Sequence, residues 1–326
     1  MGLGTSYITP QMLTNAPTGV SWSIIPFAKA STAQQAAEQT AICWRATSAV
    51  DSFCHQPLRS TADTEFLNGP GQPRCNVDRD TGAGVLNMKR WPVTEVLAIQ
   101  VSPARAFPRT WTPVPAGQWD IRHPLIYSGD SASATAPDGG WTIDVAPGWI
   151  GCSPYGRTPA GGFTGAGGRG GQRVQVSYVN GWPHTSLTAN AEQGATTLDV
   201  DDVTGWTSAS GFAYDGSGTE PLTGGSVAAT SPLVLPNDAG TAEAGPGTIT
   251  LTSPLAYPHE QGTVISALPG AVIEATILAA AAQALEGGID AITIQTISGQ
   301  KSSSGFDIDS LTKQYQAKLA YYRRPM

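Results

Sequence analysis

Residues 270–288 read GAVIEATILAAAAQALEGG. Val272, Ile273, Ile277, Leu278, Ala281, Ala284 and Leu285 recur at three and four residues, the spacing of one helical face. Pro269 precedes the run and Gly287-Gly288 ends it, the usual start and stop chemistry. Working towards the C-terminus, 291–295 (AITIQ) is a short β-like run and 299–305 a polar, Ser-rich hinge. A second helix closes the chain, with Leu311, Tyr315, Leu319 and Tyr322 on one face. It ends Tyr321-Tyr322-Arg323-Arg324-Pro325-Met326. An amphipathic, aromatic and basic helix behind a hinge suits an arm that docks on a partner. Residues 305–326 are therefore read as a docking helix, and 272–285 as a core helix.

Working back, composition sets the bounds. The chain has 326 residues, enough for two domains or one with an insertion, and 40% are hydrophobic. Only 13% are charged, against roughly a quarter in typical domains. Gly 38 and Pro 25 are high and spread out, which predicts a turn-rich α+β protein. The formal charge of −7 argues against gripping nucleic acid as the main function, though not against surrounding DNA without gripping it. Cys43, Cys54, Cys75 and Cys152 form no CxxC pair and are read as reduced thiols. No apolar run is long enough for a membrane span, and no signal peptide is expected at the start.

From the N-terminus, residues 7–13 read as a short helix or arm begun by Ile8-Thr9-Pro10. Ser31/Thr32 followed by Gln34/Gln35 is a capping box, opening a helix that runs to about His55 and stops at Pro57. Ile42, Ala46, Val50 and Phe53 are its apolar stripe. Residues 58–80 read as turn. Strands are predicted at 85–90, 96–101, 117–121, 141–145 and 173–179, with prolines between them. From Arg173 to Lys301 the chain has no other Lys or Arg, while Asp and Glu recur. Within that stretch, 187–189, 197–200, 233–235, 247–251 and 262–266 read as strands of a small sandwich or barrel. The expected fold is α+β: a small helical bundle with β-hairpin or antiparallel sheet elements (1–183 and 268–326), plus an inserted all-β domain (184–267).

Catalytic chemistry finds little support. His55, His123, His184 and His259 lie in four separate segments, three beside proline, so turn roles outweigh metal ligation. HExxH, GxSxG and a P-loop lysine are absent. Residues 165–170 spell GxGxxG, but a strand follows where a dinucleotide site needs a helix. Asp199-Val200-Asp201-Asp202 lacks the spacing of a calcium loop. No cofactor, metal or enzymatic activity is expected. Trp91, Trp111, Trp119, Trp141, Trp149, Trp182 and Trp206 sit beside strands and turns. Core packing is the first reading; sugar platforms and subunit contacts are the alternatives.

Four stretches together carry a resemblance: Tyr7-Ile8-Thr9 with the helix over 35–53 and the following PLRST (57–61); LNMKRWPV (86–93) with VLAI (96–99); RVQVSYVNGW (173–182); and the helix from Val272 with LAYYRRP (319–325). In this order the chain resembles the head-to-tail adaptor (connector) proteins of long-tailed bacteriophages. The resemblance covers roughly 1–183 and 268–326, and 184–267 departs from it. It implies a structural virion protein in the neck, made in the host cytoplasm, that forms an oligomeric ring on the portal. Its expected partners are the portal protein, neighbouring subunits in a ring of about twelve, and a tail-side stopper, terminator or tail-tube protein. DNA would pass through without specific binding. The residues expected to dock on the portal are Leu311, Tyr315, Lys318, Leu319, Tyr322, Arg323 and Arg324. The alternative function is a β-rich glycan-binding surface module using tryptophan platforms.

Overall fold

The computed structural model describes residues 5–25, 30–68, 74–77, 82–103, 108–122, 142–147, 149–150, 172–215, 218–286 and 308–323. The expected β run at 291–295, the 299–305 hinge, the GxGxxG loop, His123, Trp141, Cys152 and Arg324 lie outside them.

Helices and antiparallel sheets make a mixed α+β fold. Helix α1 (Pro10–Asn15) opens at Thr9, whose hydroxyl accepts from the Met12 amide at 3.2 Å. Pro10 stands in its first turn, where a missing N–H costs nothing. Tyr7 and Ile8 therefore precede the helix rather than belonging to it, and both are buried. Helix α2 (Thr32–Cys54) starts on the Ser31/Gln34 capping box and ends at His55 in the left-handed conformation. Ile42, Ala46 and Val50 are buried along it, with Phe53 at the margin.

Helix α3 (Gly270–Glu286) begins where the Pro269 carbonyl accepts from the Val272 and Ile273 amides at 2.8 and 3.3 Å. It packs against α2 and α4 (Ile308–Leu319). Ala275, Ala279, Ala280, Ala281, Ala282 and Ala284 are all buried, and their small side chains let neighbouring backbones come close. A 3-10 turn, Ala320–Tyr322, continues from α4.

Two four-stranded sheets adjoin the helices. In chain order their strands are β1 (Thr61–Asn68), β2 (Cys75–Val77), β3 (Gly84–Asn87), β4 (Val93–Pro103), β5 (Thr112–Pro113), β6 (Trp119–Arg122), β7 (Thr142–Val145) and β8 (Gln172–Asn180). One sheet has the order β1-β8-β4-β5 and the other β2-β3-β7-β6. A shared core of Leu86, Ile99, Val101, Ile143, Val145, Val174, Val176 and Tyr178 joins them. The expectation of turn over 58–80 is corrected, since β1 and β2 both fall inside it.

Residues 184–266 form a six-stranded sheet. Its members are β9 (His184–Ser186), β10 (Thr197–Val200), β11 (Ser210–Asp215), β12 (Gly218–Ala229), β15 (Gly247–Leu251) and β16 (Val264–Ser266), with a small hairpin of β13 (Leu233–Val234) and β14 (Thr241–Ala242) between β12 and β15. The order is β10-β15-β12-β11-β16-β9. A Leu187–Val200 bridge brings the two edges together, so the sheet closes on itself as a barrel around Trp206, Leu198, Val200, Val203, Leu222 and Ile249. The strand expected at 187–189 lies three residues earlier, at β9, and Leu187 makes the closing bridge.

Among the described residues, no helix is long and apolar enough to cross a membrane. Cys43, Cys54 and Cys75 are buried free thiols.

Candidate docking surface

The C-terminal segment does not stand away from the protein. Leu311 and Leu319 are 1% and 0% exposed, inside the core that α2 and α3 build. Tyr315 meets Phe53 edge-on, with ring centroids 6.3 Å apart. Tyr322 packs on Trp182 at 5.5 Å and Tyr321 on Trp91 at 6.3 Å, while Trp91 and Trp182 themselves meet at 6.3 Å. Lys318 reaches Glu274 of α3 at 2.6 Å. The Arg323 guanidinium lies 5.3 Å from the Phe53 ring centroid and 3.4 Å from Nε2 of His55. The amphipathic face of the expected docking helix is thus covered by its own chain.

The proposed docking residues thus separate into two sets. Leu311, Leu319, Tyr315 and Tyr322 face inward or sit half-covered. Lys318 and Arg323 are exposed; outside the expected set, so are Lys313 and, at 52%, Tyr321. Tyr321 stands outside the expected docking set. Its place beside Tyr322 in a terminal aromatic pair was the available signal, but the pattern could not say which ring would turn outward.

The Trp readings separate similarly. Trp91 and Trp182 are core residues under the C-terminal turn, and Trp206 fills the barrel. Trp119 and Trp149 are partly buried against the two-sheet core. Trp111 pairs with the exposed Phe66 at 5.9 Å.

A second cluster fixes the N-terminal segment. The Tyr7 hydroxyl donates to Asp51 Oδ1 at 2.5 Å and accepts from the amides of Leu58 and Arg59 at 2.8 and 3.1 Å. Burial pushes the Asp51 carboxyl up to about 6, although the Tyr7 hydrogen bond works against that rise. The His184 ring stands edge-on to Tyr7 at 5.4 Å. Its Nε2 donates to the Ser6 carbonyl at 2.8 Å, and Nδ1 then accepts from the Ser266 hydroxyl at 2.9 Å. Burial lowers its pKa to about 4 and keeps the ring neutral.

Asp202, Glu220 and His259 serve local structure. Asp202 Oδ1 accepts from the Thr204 amide at 2.9 Å and from the Gly245 amide at 3.1 Å, which uses the 199–202 run as a turn brace. Glu220, buried in the barrel, accepts from the Ala256 amide at 2.6 Å and pairs with His259 at 2.9 Å. Among the described residues, no group of three His, Cys, Asp or Glu is placed to hold a metal ion.

No protein-family model, characterised protein or solved structure matches this chain.

Proposed function

We propose that this chain is the subunit of a head-to-tail adaptor ring that docks on a phage portal and links capsid to tail. The observation carrying the reading is the folded C-terminal helix, whose outward side presents Tyr321, Lys313, Lys318 and Arg323. That basic, aromatic surface closes a chain that carries a net charge of −7. Exposed tyrosine and arginine are residues that contribute strongly at interface centres. An acidic partner surface would be steered to it electrostatically.

The rest of the chain fits the same role. Its stretch from Arg173 to Lys301 has no other cation in sequence, so the barrel within it offers phosphates no basic contact. DNA would pass such a ring without being held. The portal, neighbouring subunits and a tail-side protein are the partners in this reading, and the virion neck is the location.

Electron microscopy and sedimentation of the purified protein mixed with the portal test it. A closed ring seated on the portal is the expected result. Failure to form or join any ring with the portal present would sink the reading, whereas a monomer in isolation would not.

A further inference from the structure

A cleft of about 670 Å³ opens between the first sheet and the hairpin that the barrel extends over it. Its floor is β4, from Leu97 to Gln100. Its sides are Trp111, Trp119 and the turn carrying Asn237 and Asp238, with Arg109 at the edge. The volume lies within the roughly 300–1,000 Å³ typical of small-molecule sites.

Three features single it out. First, Gln100 is 4% exposed; its Nε2 donates to the Asn237 carbonyl at 3.0 Å, and among the described residues nothing donates to its Oε1. A buried amide oxygen without a donor is costly, about 1–3 kcal/mol, and Gln100 is among the residues around this cleft. Second, the walls are aromatic and accessible: Trp111 is half-buried, Trp119 is partly covered, and the Phe66 ring against Trp111 is 53% exposed. Third, Asn237 and Asp238 both have φ of 56°, a conformation that consecutive non-glycine residues rarely hold. Such strain gathers where a side chain must be aimed.

We infer that this cleft binds a short neutral oligosaccharide. The C–H face of a pyranose stacks on an indole, while its hydroxyls donate and accept around the rim. Here a hydroxyl would donate to the Asp238 carboxylate, and a ring or hydroxyl oxygen would accept from Arg109. A phosphate-bearing ligand fits less well, because the lining pairs a single guanidinium, Arg109, with the acidic Asp238. The tryptophan platform that the sequence suggested is thus placed away from the barrel, where Trp206 is interior packing. This inference is independent of the adaptor reading and survives its failure.

Titration of the full chain with cellotriose, maltotriose and chitotriose at millimolar concentration, followed by intrinsic tryptophan fluorescence and calorimetry, tests it. At least one trisaccharide should bind. Trp111→Ala and Asp238→Ala should each weaken that binding roughly threefold to tenfold. Phe212→Ala, which removes an exposed ring elsewhere, should leave it unchanged. Because Asp238 is on an exposed turn, its variant reports on the site even if the tryptophan variant folds poorly. No binding by any of the three sugars overturns the inference, as does binding that neither Trp111→Ala nor Asp238→Ala alters. So does a response to a proline-rich peptide without one to the sugars.

Discussion

Gln100 and Gln175 stand opposite each other on β4 and β8, and both amides donate to the same barrel turn. Gln175 reaches the Pro236 carbonyl at 2.9 Å and Gln100 the Asn237 carbonyl at 3.0 Å. Asn237 returns the contact, its Nδ2 donating to Gln175 Oε1 at 2.5 Å. Two adjacent buried amides at one register position read a backbone turn from another part of the chain. Gln175→Leu should therefore strand the carbonyl of Pro236 and the amide of Asn237. The expected loss is about 1–3 kcal/mol. Amide hydrogen exchange should rise over 233–242 before it rises in the helices. Unchanged protection there would show that the clasp does not hold the hairpin.

The C-terminal helix gives a prediction opposite to the one its sequence suggests. A detachable arm could be deleted without harm to the rest. Leu311 and Leu319 are instead fully buried, so Leu319→Ala should cost about 2–5 kcal/mol. Truncation before Ile308 should expose the faces of α2 and α3 and give an aggregating protein. Lys313→Ala, on the exposed side, should change the urea midpoint little. A truncated chain that stays soluble with the parent's midpoint would falsify this account of the helix.

Two buried titrating groups near the N-terminal segment oppose each other. His184 is held near 4, below its ordinary 6.5, so the folded state prefers the neutral ring. Its stabilisation is complete above 6.5 and is lost as pH falls towards 4. Asp51 is raised to about 6 from 3.8, so the folded state prefers the protonated acid. Its contribution is complete below 3.8 and is lost as pH rises through 6. Across the overlap the slopes have opposite signs, each bounded at about 3 kcal/mol. Relative to the parent, His184→Gln should show stability falling more steeply as pH rises from about 4 to 6. Asp51→Asn should show the reverse. Denaturation midpoints at half-unit pH steps measure both, and parallel profiles in all three proteins would refute the opposition.

Gly181 offers a backbone test. It has φ of 83°, and a Cβ there would lie 2.5 Å from the Arg59 carbonyl oxygen and 2.8 Å from that of Leu58. Neither is the end of a flexible side chain. Gly181→Ala should cost about 2 kcal/mol or more and lower the melting temperature. Gly117→Ala is the comparison: φ is 84° there, but nothing lies within 4 Å, so only the conformational part remains.

Cys43 and Cys54 are buried, and burial pushes both thiols up to about 12. Neither should react with a disulfide reagent in the native protein at neutral pH, because the thiolate is the nucleophile. Reaction of these residues should track unfolding in urea. Rapid modification of either without denaturant would contradict their burial.

What could be read from the sequence follows from how each element is stabilised. Helix α2 was legible because Ser31 and Gln34 announce its start, and α3 because its apolar spacing is sustained. Strand β1, TADTEFLN, was not, since Asp, Glu and Asn are poor strand formers. Its polar residues are matched across space: Asp63 takes Arg90 at 2.7 Å, Thr64 meets Ser177 at 2.8 Å, and Glu65 takes Arg74 and Tyr178. Strand β12 was hidden by Pro221 and Gly224-Gly225. A Cβ on Gly224 would lie 2.3 Å from the Trp206 carbonyl oxygen, so a tight backbone approach decides that residue. The amphipathic pattern of the last helix showed that one face is covered. It contained nothing to tell a partner from the chain's own α3. The clasp and the His184 contacts join residues far apart in sequence, and no local spacing encodes them.

The barrel leaves and rejoins the helical part at neighbouring strands. His184 pairs with Ser266, and the Ala267 amide donates to the Pro183 carbonyl at 2.8 Å. In mechanical terms this is a pinned joint: both legs of the barrel enter through a single rung, braced by His184 on the Ser6 carbonyl and by Tyr214 against the helical core. The Pro236–Asp238 turn, gripped by Gln100 and Gln175, is a second fixing point away from that pin. With both engaged the barrel is a bracket that would transmit force to the sheets.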